Sequence, residues 1–181
     1  MIKSLTKPIA LIGLSGTGKT TIGVNLAKKL NLNFYDTDLI IEAESNTKIS
    51  DIFATKGETF FRDLEAKSLK EISTFKAPYI LSTGGGIVTR PENLAILLQK
   101  FFVIKIYCDL DVLTQRILND EARPLTKDNT EEKIKILFTQ RDALYNKAHI
   151  SIDSTSAQVE EISNNIIINL SKLNEARNNQ P

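Results

Sequence analysis

The stretch "PIALIGLSGTGKTTIGVNLAKKL" (8–30) constrains the fold more than any other part of the chain. Its first seven residues form a short apolar run with no helical period, which predicts a buried strand. Residues 18–30 carry apolar side chains at helical spacing and close on two lysines, which suit the negative end of a helix. Between these segments, "GLSGTGKT" (13–20) satisfies G-x-x-x-x-G-K-[ST] at every position. Glycines allow such a loop to turn so tightly that successive backbone N–H groups point inward at phosphate oxygens. The helix that follows adds its positive N-terminal end. A strand, this loop and a helix in that order predict a nucleotide phosphate site. Lys19 can reach the β- and γ-phosphates there, and the Thr20 hydroxyl can ligate Mg²⁺.

The rest of the chain repeats the alternation. Further strands are expected at 33–36, 78–83, 101–109 and 149–153. Helices are expected at 38–45 with Asp38 as N-cap, at 50–57 capped by Ser50 and closed by Gly57, and at 58–75. Others are expected at 91–99 behind Pro91, and at 111–120, 131–148 and 157–173. This pattern predicts an α/β three-layer sandwich, with a five-stranded parallel sheet and helices on both faces. One domain is expected over 1–173, with a frayed tail at 174–181. In such sheets ligands bind beyond the carboxyl ends of the strands.

Charge narrows the function classes. The 23 basic and 22 acidic residues nearly cancel, so no basic field exists for a nucleic-acid backbone or an anionic membrane. A nucleic-acid motor is disfavoured on that ground. Cys108 is the one cysteine, so no intrachain disulfide can form; its apolar setting predicts a buried structural thiol. No apolar run is long enough to span a membrane. A cytoplasmic monomer is expected.

The residues after each strand carry the chemistry. "FYDTD" (34–38) ends the second strand with two carboxylates two residues apart, Asp36 and Asp38. A strand's period of two would set both on one side, a costly arrangement unless positive charge or proton traffic lies between them. "STGGG" (82–86) ends the third strand with more glycine than a turn needs, which suggests that backbone there approaches something bulky and polar. Asp109, which ends the fourth strand, reads as the cap of the helix that follows. Arg62 has Glu58 four residues before it and Glu65 three after it, so it can be read either as a surface ion-pair ladder or as a ligand-binding group. Arg123 sits in a polar loop, about 120–130, that reads as a lid bringing charge to a phosphoryl group. Arg116 and Arg141 lie on the helices flanking it. His149, the only histidine, reads as structural.

Taken in order, "GLSGTGKTTIG", "FYDTD", "GETFFRDLE", "LSTGGG", "RPL" and "RDALYNKA" resemble the shikimate kinase family, from about Ile9 to about Leu173. The resemblance implies a nucleoside-monophosphate-kinase-like fold and transfer of the ATP γ-phosphoryl group to the 3-hydroxyl of shikimate. It implies that Gly13, Ser15, Gly16, Thr17, Gly18, Lys19, Thr20 and Thr21 hold ATP, with Arg116 stacked on adenine and Arg123 closing over the phosphates. One Mg²⁺ would be held by Thr20 and, through water, by Asp36. Asp38 would bind the acceptor hydroxyls and could take the attacking proton. Arg62 and Arg141 would grip the shikimate carboxylate, while Gly84, Gly85 and Gly86 line the pocket with backbone. The lid departs from the family's R-P-L-L at Thr126. The competing readings are another small-metabolite kinase, such as one acting on gluconate, and an ATP-binding module without transfer. No N-K-x-D motif supports a GTPase.

Overall fold

The computed structural model of the protein describes residues 6–119 and 130–178. Five strands, β1 (Ile9–Ile12), β2 (Asn33–Asp36), β3 (Tyr79–Ser82), β4 (Phe102–Tyr107) and β5 (Ile150–Asp153), form one sheet in the order β2-β3-β1-β4-β5. Every pairing is parallel. Seven helices accompany them: α1 (Lys19–Leu30), α2 (Thr37–Ser45), α3 (Ile49–Ile72), α4 (Pro91–Lys100), α5 (Leu110–Leu118), α6 (Thr130–Tyr145) and α7 (Val159–Asn178). No helix among the described residues is long and apolar enough to cross a membrane.

The central strand β1 is fully buried and feeds two cores. Ala10 and Ile12 pack with Leu69 and Ile72 of α3, Leu97 of α4, Leu113 of α5 and Tyr145 of α6. Ile9 and Leu11 pack on the opposite face with Ile22 and Leu26 of α1 and Ile162, Ile166 and Leu170 of α7. This alternation explains the near-continuous apolar run at 8–14: a strand covered by helices on both faces has no polar side. A third, smaller cluster of Ile41, Ile52 and Phe61 joins α2 to α3. Because β3 and β4 flank β1, the chain reverses direction across the sheet there, and the crevice opens at the end of β1.

Several boundaries differ by a few residues from those read in the sequence. The helix expected to begin at Ser50 begins at Ile49, because the Glu42 carboxylate of α2 accepts the Ile49 N–H at 3.0 Å and performs the cap. Gly57 breaks the helical path, at φ 81° and ψ 173°, so α3 is two helical segments that meet at this residue, as the expected close of one helix at Gly57 and start of the next at Glu58 require. Helix α7 continues to Asn178, past the expected end at Leu173. Ile166 on α7 is fully buried, so Ile166→Ala should cost about 2–5 kcal/mol in urea unfolding. A loss below about 1 kcal/mol would show that α7 does not cover this face.

Candidate active site

The loop 13–18 crosses from β1 to α1. Gly18 occupies the N-cap of α1 at φ 88°, a left-handed conformation that a side chain would strain. Lys19 is buried, and its Nζ donates to the Leu14 carbonyl at 2.7 Å. The Thr17 hydroxyl donates to the same carbonyl at 2.9 Å. From beyond β5, the Ser154 hydroxyl donates to the Thr17 carbonyl at 3.0 Å and fixes the loop from the other side. A cavity of about 610 Å³ opens here, walled by Gly16 and the start of α1 through Thr21, by Asp36 and Asp38, and by Gly85 and Arg116. Arg116 Nη2 donates to the Ser154 carbonyl at 2.8 Å, which sets its guanidinium at the cavity wall.

The two aspartates divide their work differently from the sequence reading. The strand ends at Asp36, so Asp38 belongs to the first turn of α2 and the period of two does not reach it. Asp36, not Asp38, is the N-cap: its Oδ1 accepts the N–H groups of Asp38 at 2.9 Å and Leu39 at 3.4 Å. Its Oδ2 accepts the Thr20 hydroxyl at 2.8 Å, and Thr20 Oγ1 lies 3.3 Å from Ser82 Oγ. Thr20, Asp36 and Ser82 therefore converge as hard oxygen donors, the chemistry that suits Mg²⁺. No cluster of three or more His, Cys, Asp or Glu residues that could hold a metal exists among the described residues. An ion here would take its other ligands from phosphate and water, as Mg²⁺ commonly does.

On α3, Arg62 pairs with Glu58 at 2.9 Å and with Glu65 at closer range. Both partners of the expected ladder are present, but it is not a surface ladder. The Arg62 side chain is 12% exposed and that of Glu65 is 0%. Burial alone would lower the Arg62 pKa; Glu65, with help from Glu58, outweighs it and holds the guanidinium above its ordinary value. Burial pushes the Glu65 carboxyl up, Arg62 opposes it, and the charge of Asp38 adds to the rise. Glu65 Oε1 is buried with no hydrogen-bond partner.

Gly84, Gly85 and Gly86 explain why these groups can meet. A Cβ on Gly84 would collide with Glu65 Oε1 and stand 2.7 Å from Asp38 Oδ1. One on Gly85 would stand 3.0 Å from the Ser15 nitrogen in the phosphate loop. One on Gly86 would fall inside the Arg62 guanidinium. The bulky polar neighbour inferred from the sequence is thus a carboxylate pair, the phosphate loop and an arginine, one for each glycine. Arg141 on α6 is half-buried and its charge acts on Glu65, so it joins the same cluster. Glu65, read from the sequence as an ion-pair partner of Arg62, and Tyr145, whose hydroxyl donates to the Gly85 carbonyl, had no site role assigned from the sequence.

The remaining candidates are placed as follows. Asp109 stands at the N-cap of α5 but makes no side-chain cap bond, which corrects its expected role; its N–H donates to Thr155 Oγ1 at 3.0 Å. His149 Nδ1 accepts the Val103 N–H at 2.9 Å and its ring stacks on Phe102, a structural part. Cys108 is buried, and desolvation raises its thiol pKa. Arg123 and Thr126, with the expected lid, lie outside the described residues.

A family model described as shikimate kinase matches residues 15–171. The chain belongs to the shikimate kinase family. It is 38% identical over 156 residues to a shikimate kinase of Bacillus cereus (strain AH187), covering 86% of this chain and 93% of that one. A solved shikimate kinase from Acinetobacter baumannii, in complex with shikimate, superposes with a TM-score of 0.87 at 35% identity, covering 93% of this chain and 95% of that one. A gluconokinase from Sinorhizobium meliloti, 12% identical, reaches a TM-score of 0.63 over 98% of this chain and 100% of that one, and shares the fold alone. Membership in the shikimate kinase family makes the chain an ATP-dependent phosphotransferase with an alcohol group as acceptor.

Glu65 offers a test of the buried cluster. A carboxyl whose folded pKa is raised contributes stability that is present below its unfolded value and is lost as pH rises through the folded one. The parent should therefore lose stability relative to Glu65→Gln as pH rises above 4.5. Parallel unfolding curves against pH for the two proteins would contradict a buried, reluctantly ionised carboxyl.

Proposed function

We propose that the chain transfers the γ-phosphoryl group of ATP to the 3-hydroxyl of shikimate, giving shikimate 3-phosphate and ADP. The observation that carries this reading is the contact of Gly84, Gly85 and Gly86 with Asp38 and Glu65, with the phosphate loop, and with Arg62. It brings a guanidinium and a carboxylate pair directly beside a phosphate site, which suits an acceptor bearing both a carboxylate and hydroxyls.

The acceptor oxygen attacks the γ-phosphorus, and the bond to the β–γ bridging oxygen breaks as ADP leaves. The hydroxyl proton passes to Asp38 or is lost to solvent once the P–O bond forms. The transition state is loose, so the chain contributes mainly position and charge. Lys19 and the amides of Gly13, Ser15, Gly16, Thr17 and Gly18 hold the phosphates, with Thr20 and Thr21 at the helix start. Arg116 covers the adenine and Arg123 closes over the phosphates. Arg62 and Arg141 hold the shikimate carboxylate, and Asp38 orients the hydroxyl. Thr20 and Asp36 would hold one Mg²⁺ with the nucleotide, Asp36 acting through water, and the ion would supply positive charge to the phosphates. The single cysteine is in keeping with a reducing, cytoplasmic compartment, and a monomer is the default expectation for the chain.

Incubation with Mg-ATP and either shikimate or gluconate, with products read by phosphorus NMR, tests the reading. Phosphorylated shikimate is expected. A product formed only from gluconate, or ADP formed with neither acceptor, would overturn it. Arg62→Ala should raise the shikimate requirement about 30-fold or more, because losing one partner of a desolvated ion pair costs roughly 2–5 kcal/mol at about 1.4 kcal/mol per tenfold. An unchanged KM for shikimate in that variant would remove Arg62 from the site. Chelation with EDTA should stop turnover and added Mg²⁺ should restore it; turnover that survives chelation would contradict the metal's role.

A further inference from the structure

Tyr145 is buried at the end of α6, and its hydroxyl donates to the backbone carbonyl of Gly85. Gly85 is also the glycine packed on the phosphate loop, with the Ser15 nitrogen and the Gly13 carbonyl at 3.0 and 3.5 Å from where its Cβ would be. One helical turn earlier on α6 stands Arg141, on the same face as Tyr145. The charge of Arg141 reaches the same hydroxyl and favours its ionised form, opposing the burial that pushes the phenol up to about 12. A phenol has one O–H to give and lone pairs to offer. With the O–H committed to Gly85, the lone pairs are left for a cation.

Helix α6 has a second tether that fixes its position on the sheet. Lys105 Nζ, rising from β4, donates to Asp142 Oδ1 at 2.6 Å and to Asn146 Oδ1 at 2.7 Å. These residues directly follow Arg141 and Tyr145 in sequence. The lysine holds the helix to the sheet, whereas the tyrosine ties it to the loop that separates the two substrate sites.

We infer that Tyr145 is a positioning residue: its hydroxyl links the Arg141 guanidinium to the Gly85 carbonyl, and so sets the carboxylate-binding arginine at a fixed distance from the phosphate loop. This rests on the proposed grip of Arg141 on the shikimate carboxylate. It acts on the acceptor side of the reaction and not on nucleotide binding, since Tyr145 does not line the nucleotide cavity.

Tyr145→Phe removes only the hydroxyl and keeps the ring in its core. The variant should raise KM for shikimate roughly fivefold to tenfold, the range of one hydrogen bond's net worth, while KM for ATP stays within about twofold. Adding Arg141→Ala gives the second readout. If Tyr145 acts through Arg141, the double variant should be no worse in shikimate KM than Arg141→Ala alone. Equal shifts in both KM values, no shift in either, or additive effects in the double variant would each overturn the inference, and a thermal melt separates them from loss of fold. Failure of the parent itself to use shikimate would instead overturn the assignment of the acceptor.

Discussion

The site depends on the close approach of one backbone segment to three sets of side chains and loops at once. Residues 84–86 sit between the carboxylates of Asp38 and Glu65, the phosphate loop and the Arg62 guanidinium, so close that a Cβ on Gly84 or Gly86 would displace a side chain and one on Gly85 would press on the phosphate loop. The fold makes this possible because β3 lies beside β1, so the loops leaving both strands share the crevice. Without that adjacency the proposed acceptor pocket and the phosphate loop would have no common wall. Phosphoryl transfer benefits most from fixed distances between reacting groups, and backbone held between packed elements supplies a more rigid wall than side chains do.

The second constraint is electrostatic. Glu65 and Arg62 are buried together, which is expensive relative to an apolar pair of the same size. Such pairing gives weak evidence for stability, so a reason elsewhere is called for. The reason offered by the geometry is orientation: Glu65 and Glu58 hold the Arg62 guanidinium from two directions. The arginine is thereby held in one orientation, which would lower the entropy cost of binding an anion there under the proposed role of Arg62. On the inference drawn above, Tyr145 and the Lys105 brace would do the same for Arg141.

Much of this was legible in the chain. The phosphate loop could be read because its motif lies between a strand and a helix, and the triple glycine because so much glycine at a strand end has few other uses. The carboxylates were harder. Asp36 and Asp38 are both good caps, and a two-residue shift in the N-cap of α2 exchanges their roles. Sequence spacing does not resolve such a shift, because the capping preference is the same for both. Glu65 was hidden differently: a glutamate three residues after an arginine on a helix has the spacing of a solvent-facing pair, and only the packing of α3 against Gly84 and Gly86 reveals that this face is buried. Tyr145 lay within a quoted motif, but its partner is a backbone carbonyl 60 residues away in sequence, which no local pattern encodes.

The most direct test of the central claim is calorimetric titration of Gly86→Ala with shikimate, with ATP as the control. Gly86 has φ −94° and ψ −2°, a conformation alanine adopts without strain, so only the contact with Arg62 opposes the methyl group. Shikimate affinity should fall roughly tenfold or more while ATP affinity holds, since overpacking by one methyl costs about 1–3 kcal/mol. Unchanged shikimate binding in a folded Gly86→Ala protein would mean that the glycine wall and Arg62 do not form the acceptor site.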